Sequence, residues 1–342
     1  SDRYGRIKAR KLRIAWREGQ IRQRDEMISA GVEGADQIVI ADLTDDDKII
    51  ENIRPQHPFG AFTDQANLRA VEYLGIKGRA KFGSAACASG LFAIEALYSD
   101  IMRGKLEWGA AGGTEQLFDP WNKHLHSKQA FVNFDALHAL SVRSNPFGPF
   151  DSGRDGFSLG EGSAMLVLES IEHAKARGAN ILAILENAEI SIDAFDIVKA
   201  DPKRVSRHMA QTLYNRRGRL RKVDVNIGHY TATGEGDSRE AQAWDSTMGE
   251  NAGKTAISGT KGSLLHTMGA SGAINSAVAV MGLDRGVIVP TTNLVDLDPE
   301  FDGLDIVTEA RVYTSRQDFP RSAIVCAFGF SGQNATAVFR RP

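Results

Sequence analysis

The chain has 342 residues, of which 42% are hydrophobic and 25% charged, and 41 Lys and Arg against 43 Asp and Glu leave a net charge of −2. This is enough apolar material for a sizeable core, in two ordinary domains or one large α/β unit. The balance excludes a global charge argument for nucleic acid, although a local basic patch can still receive an acidic partner.

The basic N-terminus, Ser1–Arg22, has no apolar signal core, so no secretory signal is expected. Residues 1–54 form an atypical segment with no clear placement; a basic helix over Arg6–Arg24 and a short strand over Gln37–Ile40 are the only suggestions in it. From residue 61 the pattern is more regular. The apolar runs Ala164–Leu168, Ile181–Leu185 and Ala323–Ala327 read as buried strands. They alternate with helical stretches at Leu91–Arg103, Ile171–Arg177 and Val205–Tyr214, which predicts an α/β architecture with helix-covered sheets. No apolar run approaches the roughly 18–20 residues that span a bilayer; the longest, Ala270–Leu283, contains Ser, Asn and Gly and reads as a buried helix.

Two helices invite comparison. One begins near Cys87 as CASGLFAIEALYSDIMRG and ends at Gly104; the other runs GASGAINSAVAVMGLDRG and ends at Gly286. Both carry Ala-Ser-Gly, are apolar nearly all round as a buried helix is, and stop at Arg-Gly, where glycine suits a left-handed cap. They are either two unrelated core helices or the central helices of a duplicated half-domain.

Cys87 and Cys326 are the only cysteines. Two in a chain this long suit a reducing, cytoplasmic compartment better than a disulfide framework. Cys87 sits among small residues (Ala85, Ala86, Ala88, Gly90), where backbone and substrate can approach closely. A helix N-terminus beside it is expected to lower the thiol pKa and to offer a backbone N–H to an oxyanion. The alternative is an inert buried cysteine.

Of eight histidines, His57, His124, His126, His138, His173 and His208 lie in polar contexts and read as surface or packing residues. His229 follows the strand-like VDVNIGH and opens the loop YTATGEGD, where Thr231 and Thr233 supply hydroxyls; ligands bind at such strand ends in α/β folds. His266 precedes the second buried helix, with Lys261 five residues upstream. Each histidine by itself is more often structural than catalytic, but a cysteine with two loop histidines is a more specific set, since a thiol needs a polarising partner. The loop Phe328–Asn334, FGFSGQN, alternates glycine with aromatics and can expose backbone N–H groups, or be an ordinary turn.

These segments together resemble the elongating beta-ketoacyl-acyl-carrier-protein synthases. ACASGLFAIEAL is similar to that family's nucleophile segment, and PFDSGRDGFSLGEGSAMLVLESIEHAKARGA (Pro149–Ala179) to its most recognisable stretch. VDVNIGHYTATGEGDSREAQA and SGTKGSLLHTMGASGA resemble its two histidine segments, and NLVDLDPEFDGLDIVTEAR and FGFSGQNA its C-terminal part. The match runs over roughly residues 55–342.

The resemblance implies a thiolase-type α/β fold: two similar halves, here 55–180 with the nucleophile and 181–342 with the two histidines, in a five-layer αβαβα sandwich. It implies that Cys87 takes an acyl chain from an acyl carrier protein, and that His229 and His266 hold the malonyl thioester and stabilise the enolate formed on loss of carbon dioxide. It further implies Lys261 as the supporting lysine near Asp237 and Glu240, and Thr231 and Thr233 against the pantetheine arm. The N–H groups of Cys87 and Phe330 would form the oxyanion hole, with Phe330 gating the acyl pocket beside Phe328. No bound cofactor is expected, the phosphopantetheine arriving with the carrier. The expected partners are acyl and malonyl thioesters on that carrier and a second subunit, in a homodimer or a heterodimer. Alternatives are a non-condensing, chain-length-factor-like partner subunit, which usually loses the nucleophile retained here, and a cysteine thioester hydrolase.

The chain also departs from the family. Its glycine-rich first strand is not found, and the stretch ahead of Cys87 looks several tens of residues short. Ile227-Gly228-His229-Tyr230 stands where Asn-Ala-His-Gly is usual, so Tyr230 is expected to narrow the substrate entrance or alter carrier docking. Ile227, Asn275 and Val325 would leave a mostly apolar spot where some relatives hold a monovalent cation, so no metal is expected.

Overall fold

The computed structural model describes residues 71–342 except residue 74, residues 118–125 and residues 215–217. The suggested elements at Arg6–Arg24 and Gln37–Ile40, segment 1–54, and His57 and His124 lie outside the described residues. One unit comprises residues 1–82 and 118–138; its described part is mainly α2 (His126–Ala136). The other, residues 83–117 and 139–342, contains every residue assigned a role above.

In this second unit, α1 (Ser89–Met102) follows Cys87 and leads to β1 (Trp108–Glu115), which pairs antiparallel with β2 (Gly162–Glu169). α3 (Ile171–Ala176) is capped by Ser170, whose side chain accepts from His173 N. The second sheet has six strands in the order β3 (Ile184–Ile192), β10 (Gln333–Arg340), β9 (Ser322–Gly329), β4 (Val225–Ile227), β5 (Ala256–Ser258) and β7 (Asp305–Ile306). β9, β4, β5 and β7 run parallel, while β10 is antiparallel to both β9 and β3. A small ribbon pairs β6 (Val287–Ile288) with β8 (Arg311–Val312).

Side-chain alternation places the layers. Val225, Ile227, Ala323, Val325, Ala335 and Ala337 face a core shared with Leu91 and Ile94 of α1 and with Ala273, Ala279 and Leu283 of α7 (Ser271–Arg285). The intervening Ile257, Ile324, Cys326 and Val338 face α4 (Pro202–Leu213) and α5 (Gly234–Met248), through Met209, Leu213, Ala241 and Trp244. A sheet covered on both faces reads as a continuous apolar run, which is why Ala323–Ala327 stood out in the sequence. Ala111, Ala164, Leu166 and Leu168 of β1 and β2 close on the other side of α1 and α7. The unit is therefore stacked β, α, β, α, four successive layers of the kind expected.

The expected strand at Ile181–Leu185 is displaced: β3 begins at Ile184 and continues to Ile192. Pairing with β10 starts there, Ile184 opposite Arg340. The polar residues Glu186, Asn187, Glu189 and Ser191 of this edge strand concealed the rest of it. His208 is a packing residue as expected: buried on α4, it lies 2.9 Å from Ser191 Oγ and 3.1 Å from Thr336 Oγ1, and burial holds its pKa down at about 4.

The two Ala-Ser-Gly helices are in contact through those motifs. A Cβ on Gly90 would lie 3.0 Å from Ala273 Cβ, and one on Gly272 would lie 2.9 Å from Leu91 Cβ. Each glycine admits the other helix, so close approach explains why both helices begin alike. Both also end on left-handed glycines, Gly104 at φ 68° and Gly286 at φ 65°.

Candidate active site

Cys87 stands just ahead of α1, on a turn in which Ala86 adopts φ 48°. Ser89 ties the turn: its hydroxyl accepts from Ala85 N (2.8 Å) and donates to Ala86 O (2.6 Å). His266 stands on the approach to α7, three residues ahead of the position that matches Cys87. Its backbone is held by segment 158–160, with His266 N donating to Ser158 O (2.8 Å) and Gly160 N to His266 O (3.0 Å). Gly156 N donates to Ala232 O (3.0 Å), so the same segment also braces the His229 loop. The Pro149–Ala179 stretch thus acts as scaffold for both histidines.

These supports bring the reactive groups together. His266 Nε2 lies 3.2 Å from Cys87 Sγ, and the His229 and His266 rings are 5.2 Å apart, edge to face. One donor atom from each of Cys87, His229 and His266 falls within 4.8 Å of the others. All three residues are buried: 4%, 7% and 1% exposed. Phe157 meets His266 edge-on at 4.8 Å, and Phe328 lies 6.0 Å from the His229 ring.

Lys261 begins the one-turn helix α6 (Lys261–Leu264); its ammonium donates to His229 O and lies 3.5 Å from His229 Nδ1. Behind it, Glu240 accepts from His229 N and Tyr230 N, both at 2.7 Å. Asp237 accepts from Ala232 N (3.1 Å) and Phe150 N (3.2 Å), with Arg154 Nε at 3.8 Å. The two carboxylates therefore shape the His229 loop through its backbone. Thr233 caps α5, accepting from Gly236 N at 3.2 Å, and Thr231 lies 2.9 Å from it, hydroxyl to hydroxyl.

Burial dominates the electrostatics. It holds both histidines well below their ordinary pKa, reinforced by Lys261, so both imidazoles are neutral at pH 7. Burial pushes Glu240 up and Lys261 down from their ordinary values, and raises Asp237 to about 6. The expectation of a lowered Cys87 pKa is overturned. Desolvation raises it to about 12 against the opposing pull of Lys261, because the thiol is enclosed and lies one residue before the helix cap rather than within the first turn. Cys87 therefore rests as a thiol with a neutral imidazole beside it.

Tyr230 also departs from expectation. It is 1% exposed and packs on Phe150, ring centroids 4.4 Å apart, within the core beneath α5. Its ring folds back over Gly228, where a Cβ would lie 2.1 Å from Tyr230 Cε2, so it fills the core instead of narrowing an entrance. At the Phe328–Asn334 loop, Ser331 takes φ 63° and Phe330 is half-buried. A Cβ on Gly329 would meet Ala85 O at 2.7 Å and Cys87 N at 3.2 Å, so this glycine lets the loop close on the nucleophile turn.

Three further neighbours support the surrounding loops; Glu115 and Asp151 went unseen in the sequence, and Asn275 was noted there only as a departure from the family. Glu115, at the end of β1, accepts from Gly269 N (3.0 Å) and ties that strand to the turn after His266. Asn275 donates to Gly228 O (3.1 Å) and accepts from Thr260 Oγ1 (2.8 Å), linking α7 to both loops. Asp151 accepts from Val295 N (2.7 Å) and Asp296 N (3.0 Å). A carboxylate ending a glycine-rich strand was the available signal for Glu115; nothing marked Asp151, and nothing in the letters gave Asn275 its role in joining the loops.

Comparison with known proteins identifies the family. Residues 14–174 match the beta-ketoacyl synthase N-terminal domain and residues 182–295 the C-terminal domain, the first reaching into the segment left unplaced above. A 3-oxoacyl-[acyl-carrier-protein] synthase 2 of Staphylococcus aureus is 32% identical over 320 residues, covering 92% of this chain and 74% of the relative. The chain belongs to the beta-ketoacyl synthase family. The synthase 2 of Mycobacterium tuberculosis is 36% identical over 283 residues, and the match spans 80% of this chain and 64% of that relative's length. Among solved structures, a beta-ketoacyl synthase from Burkholderia phymatum superposes with a TM-score of 0.68 at 34% identity, covering 80% of this chain and 64% of that one. A type II PKS ketosynthase, solved with its acyl-carrier protein and bound to a hexaketide, gives 0.77 at 27% identity, covering 85% and 70%. The fold of this beta-ketoacyl synthase relative is accordingly of the thiolase type. No helix among the described residues is long and apolar enough to cross a membrane.

Proposed function

We propose that the chain catalyses decarboxylative Claisen condensation between an acyl group carried on Cys87 and a malonyl group on an acyl carrier protein, in fatty-acid or polyketide-like elongation. The convergence of one thiol and two neutral imidazoles in a dry site supports this reading most directly.

Cys87 Sγ attacks the incoming acyl thioester, the carrier's thiol leaves with the cysteine proton, and His266 Nε2 is the group placed to move that proton. Malonyl thioester then enters. Its carbon–carbon bond to the carboxylate breaks, carbon dioxide departs, and the electron pair passes to the thioester oxygen. No strong base is needed, only N–H donors on that oxygen, from His229 and His266. Lys261 at His229 Nδ1 favours the tautomer whose other ring nitrogen carries the proton and donates. The enolate carbon attacks the acyl carbonyl, Cys87 leaves, and 3-ketoacyl carrier protein is released. One donor lost from such a hole costs about 2.7–4 kcal/mol.

The proposed supporting parts are Cys87 N and Phe330 N as oxyanion donors, Phe330 as gate beside Phe328, and Thr231 and Thr233 against the pantetheine arm. Asp237 and Glu240 support the His229 loop. The named solved complex of a ketosynthase with its acyl-carrier protein supports a carrier as partner. A dimer, with itself or with a related subunit, belongs to the same proposal and is read by light scattering.

Mass spectrometry after acyl-carrier and then malonyl-carrier protein tests the reading. An adduct on Cys87 that converts to ketoacyl product is expected. An adduct lost to water indicates a thioester hydrolase, and no adduct on folded protein indicates a non-condensing partner subunit.

A further inference from the structure

The cluster that would hold a thioester oxygen also has the donor set of a metal site. Its three donor atoms, one thiol sulfur and one nitrogen from each of two imidazoles, lie within 4.8 Å of one another. Sets of three protein ligands drawn from cysteine and histidine, with a fourth position open, are those that hold catalytic zinc. Zinc bonds of about 2.3 Å to sulfur and about 2.0 Å to nitrogen put neighbouring ligands roughly 3.5 Å apart. The Cys87–His266 pair, at 3.2 Å, is already at that spacing. With all three atoms within 4.8 Å, no pair needs to close by more than about 1.3 Å to reach that spacing. Its ring makes one hydrogen-bond contact among the described residues, at Nδ1 with Lys261, which leaves the other nitrogen open to the cluster.

We propose that Cys87, His229 and His266 capture a thiophilic divalent cation, Zn²⁺ or Cd²⁺, and that the captured ion blocks acylation of Cys87. Soft thiolate with imidazole selects such ions over Mg²⁺ or Ca²⁺. Cys87 binds as thiolate, its proton passing to solvent, and His229 binds as the other tautomer, its ring proton moving to Nδ1 while Lys261 keeps its bond to His229 O; the sulfur lone pair that would attack a thioester is then engaged. Lys261 opposes capture. Its ammonium repels the ion and favours the His229 tautomer that carries its proton on the cluster-facing nitrogen. Glu240 and Asp237, buried behind His229, offset part of that charge. The lysine thereby acquires a second role, keeping a cysteine and two histidines from becoming a permanent metal site.

The test alkylates Cys87 of the full chain with iodoacetamide, with and without one equivalent of ZnCl₂, and follows the Cys87 peptide by mass spectrometry. Zinc is expected to slow labelling at least about tenfold, and EDTA to restore it. CdCl₂ should give an ultraviolet thiolate-to-metal band that C87S lacks and C326S keeps. His266→Ala and His229→Gln should each need about tenfold more metal for the same protection, whereas Lys261→Met should need less; variants are compared after thermal unfolding confirms a fold. Labelling unchanged by zinc, or protection undiminished in both histidine variants, overturns the proposal. No carrier protein enters this assay, so its failure leaves the condensation reading standing, and loss of condensation with intact metal capture does the reverse.

Discussion

The starts of α1 and α7 are two versions of one device. Each has a left-handed residue, then a reactive or equivalent position, then Ala-Ser-Gly: Ala86 (φ 48°) before Cys87, and Met268 (φ 42°) before Gly269. Each glycine of the motif receives the other helix. They differ in what they present. The α1 turn offers a thiol; the α7 turn offers only the Gly269 N–H, taken by Glu115, and sends its reactive side chain from His266, three residues earlier. Two like helix starts thus present different groups: in the proposed chemistry one carries the nucleophile and the other the group that polarises it. The geometry that joins them is the helix crossing.

The largest break in this comparison is to make the copies alike. Cys87→Gly should abolish the acyl adduct completely, read by mass spectrometry. His266→Ala should spare acylation more than decarboxylation and slow condensation about 100–1000-fold, measured as carbon dioxide release against adduct formation. The crossing itself is broken by Gly272→Leu, which forces a side chain into Leu91. It should cost about 1–3 kcal/mol or more in chemical denaturation, with Gly90→Leu similar. The helix ends separate the copies. Gly286→Ala adds a left-handed alanine and drives its Cβ to 2.4 Å from Phe319, whereas nothing lies within 4 Å of a Cβ on Gly104. Gly104→Ala should cost about 1 kcal/mol and Gly286→Ala distinctly more, seen as the difference in melting temperature. The smallest effect is expected from Ala86→Gly and Met268→Gly, each relieving a left-handed non-glycine turn and stabilising by about 0.5 kcal/mol.

Much of this was legible because the site is written in short, local patterns. Cys87, His229, Lys261 and His266 each sit where an element begins or ends, and the repeated Ala-Ser-Gly is visible in the letters. What escaped depends on three-dimensional direction. The sequence places Tyr230 next to His229 but does not say that the chain turns it inward onto Phe150. It places Cys87 near a helix start but does not report how deeply the thiol is enclosed, and burial reversed the expected effect of the dipole. Glu115 and Asn275 act on backbone groups more than a hundred and about fifty residues away respectively, contacts no spacing rule records. β4, β5 and β7 are only two or three residues long, too short for periodicity to reveal.

The enclosure of Cys87 bears on time as well as on affinity. A thioester is an activated bond that water destroys, and in the proposed condensation a chain parked on Cys87 would wait for the second substrate. With Cys87 4% exposed, and Gly329 drawing the Phe330 loop against its turn, hydrolysis would compete poorly for that bond. The depth that makes the free thiol sluggish is what would give the loaded enzyme a long shelf life between deliveries.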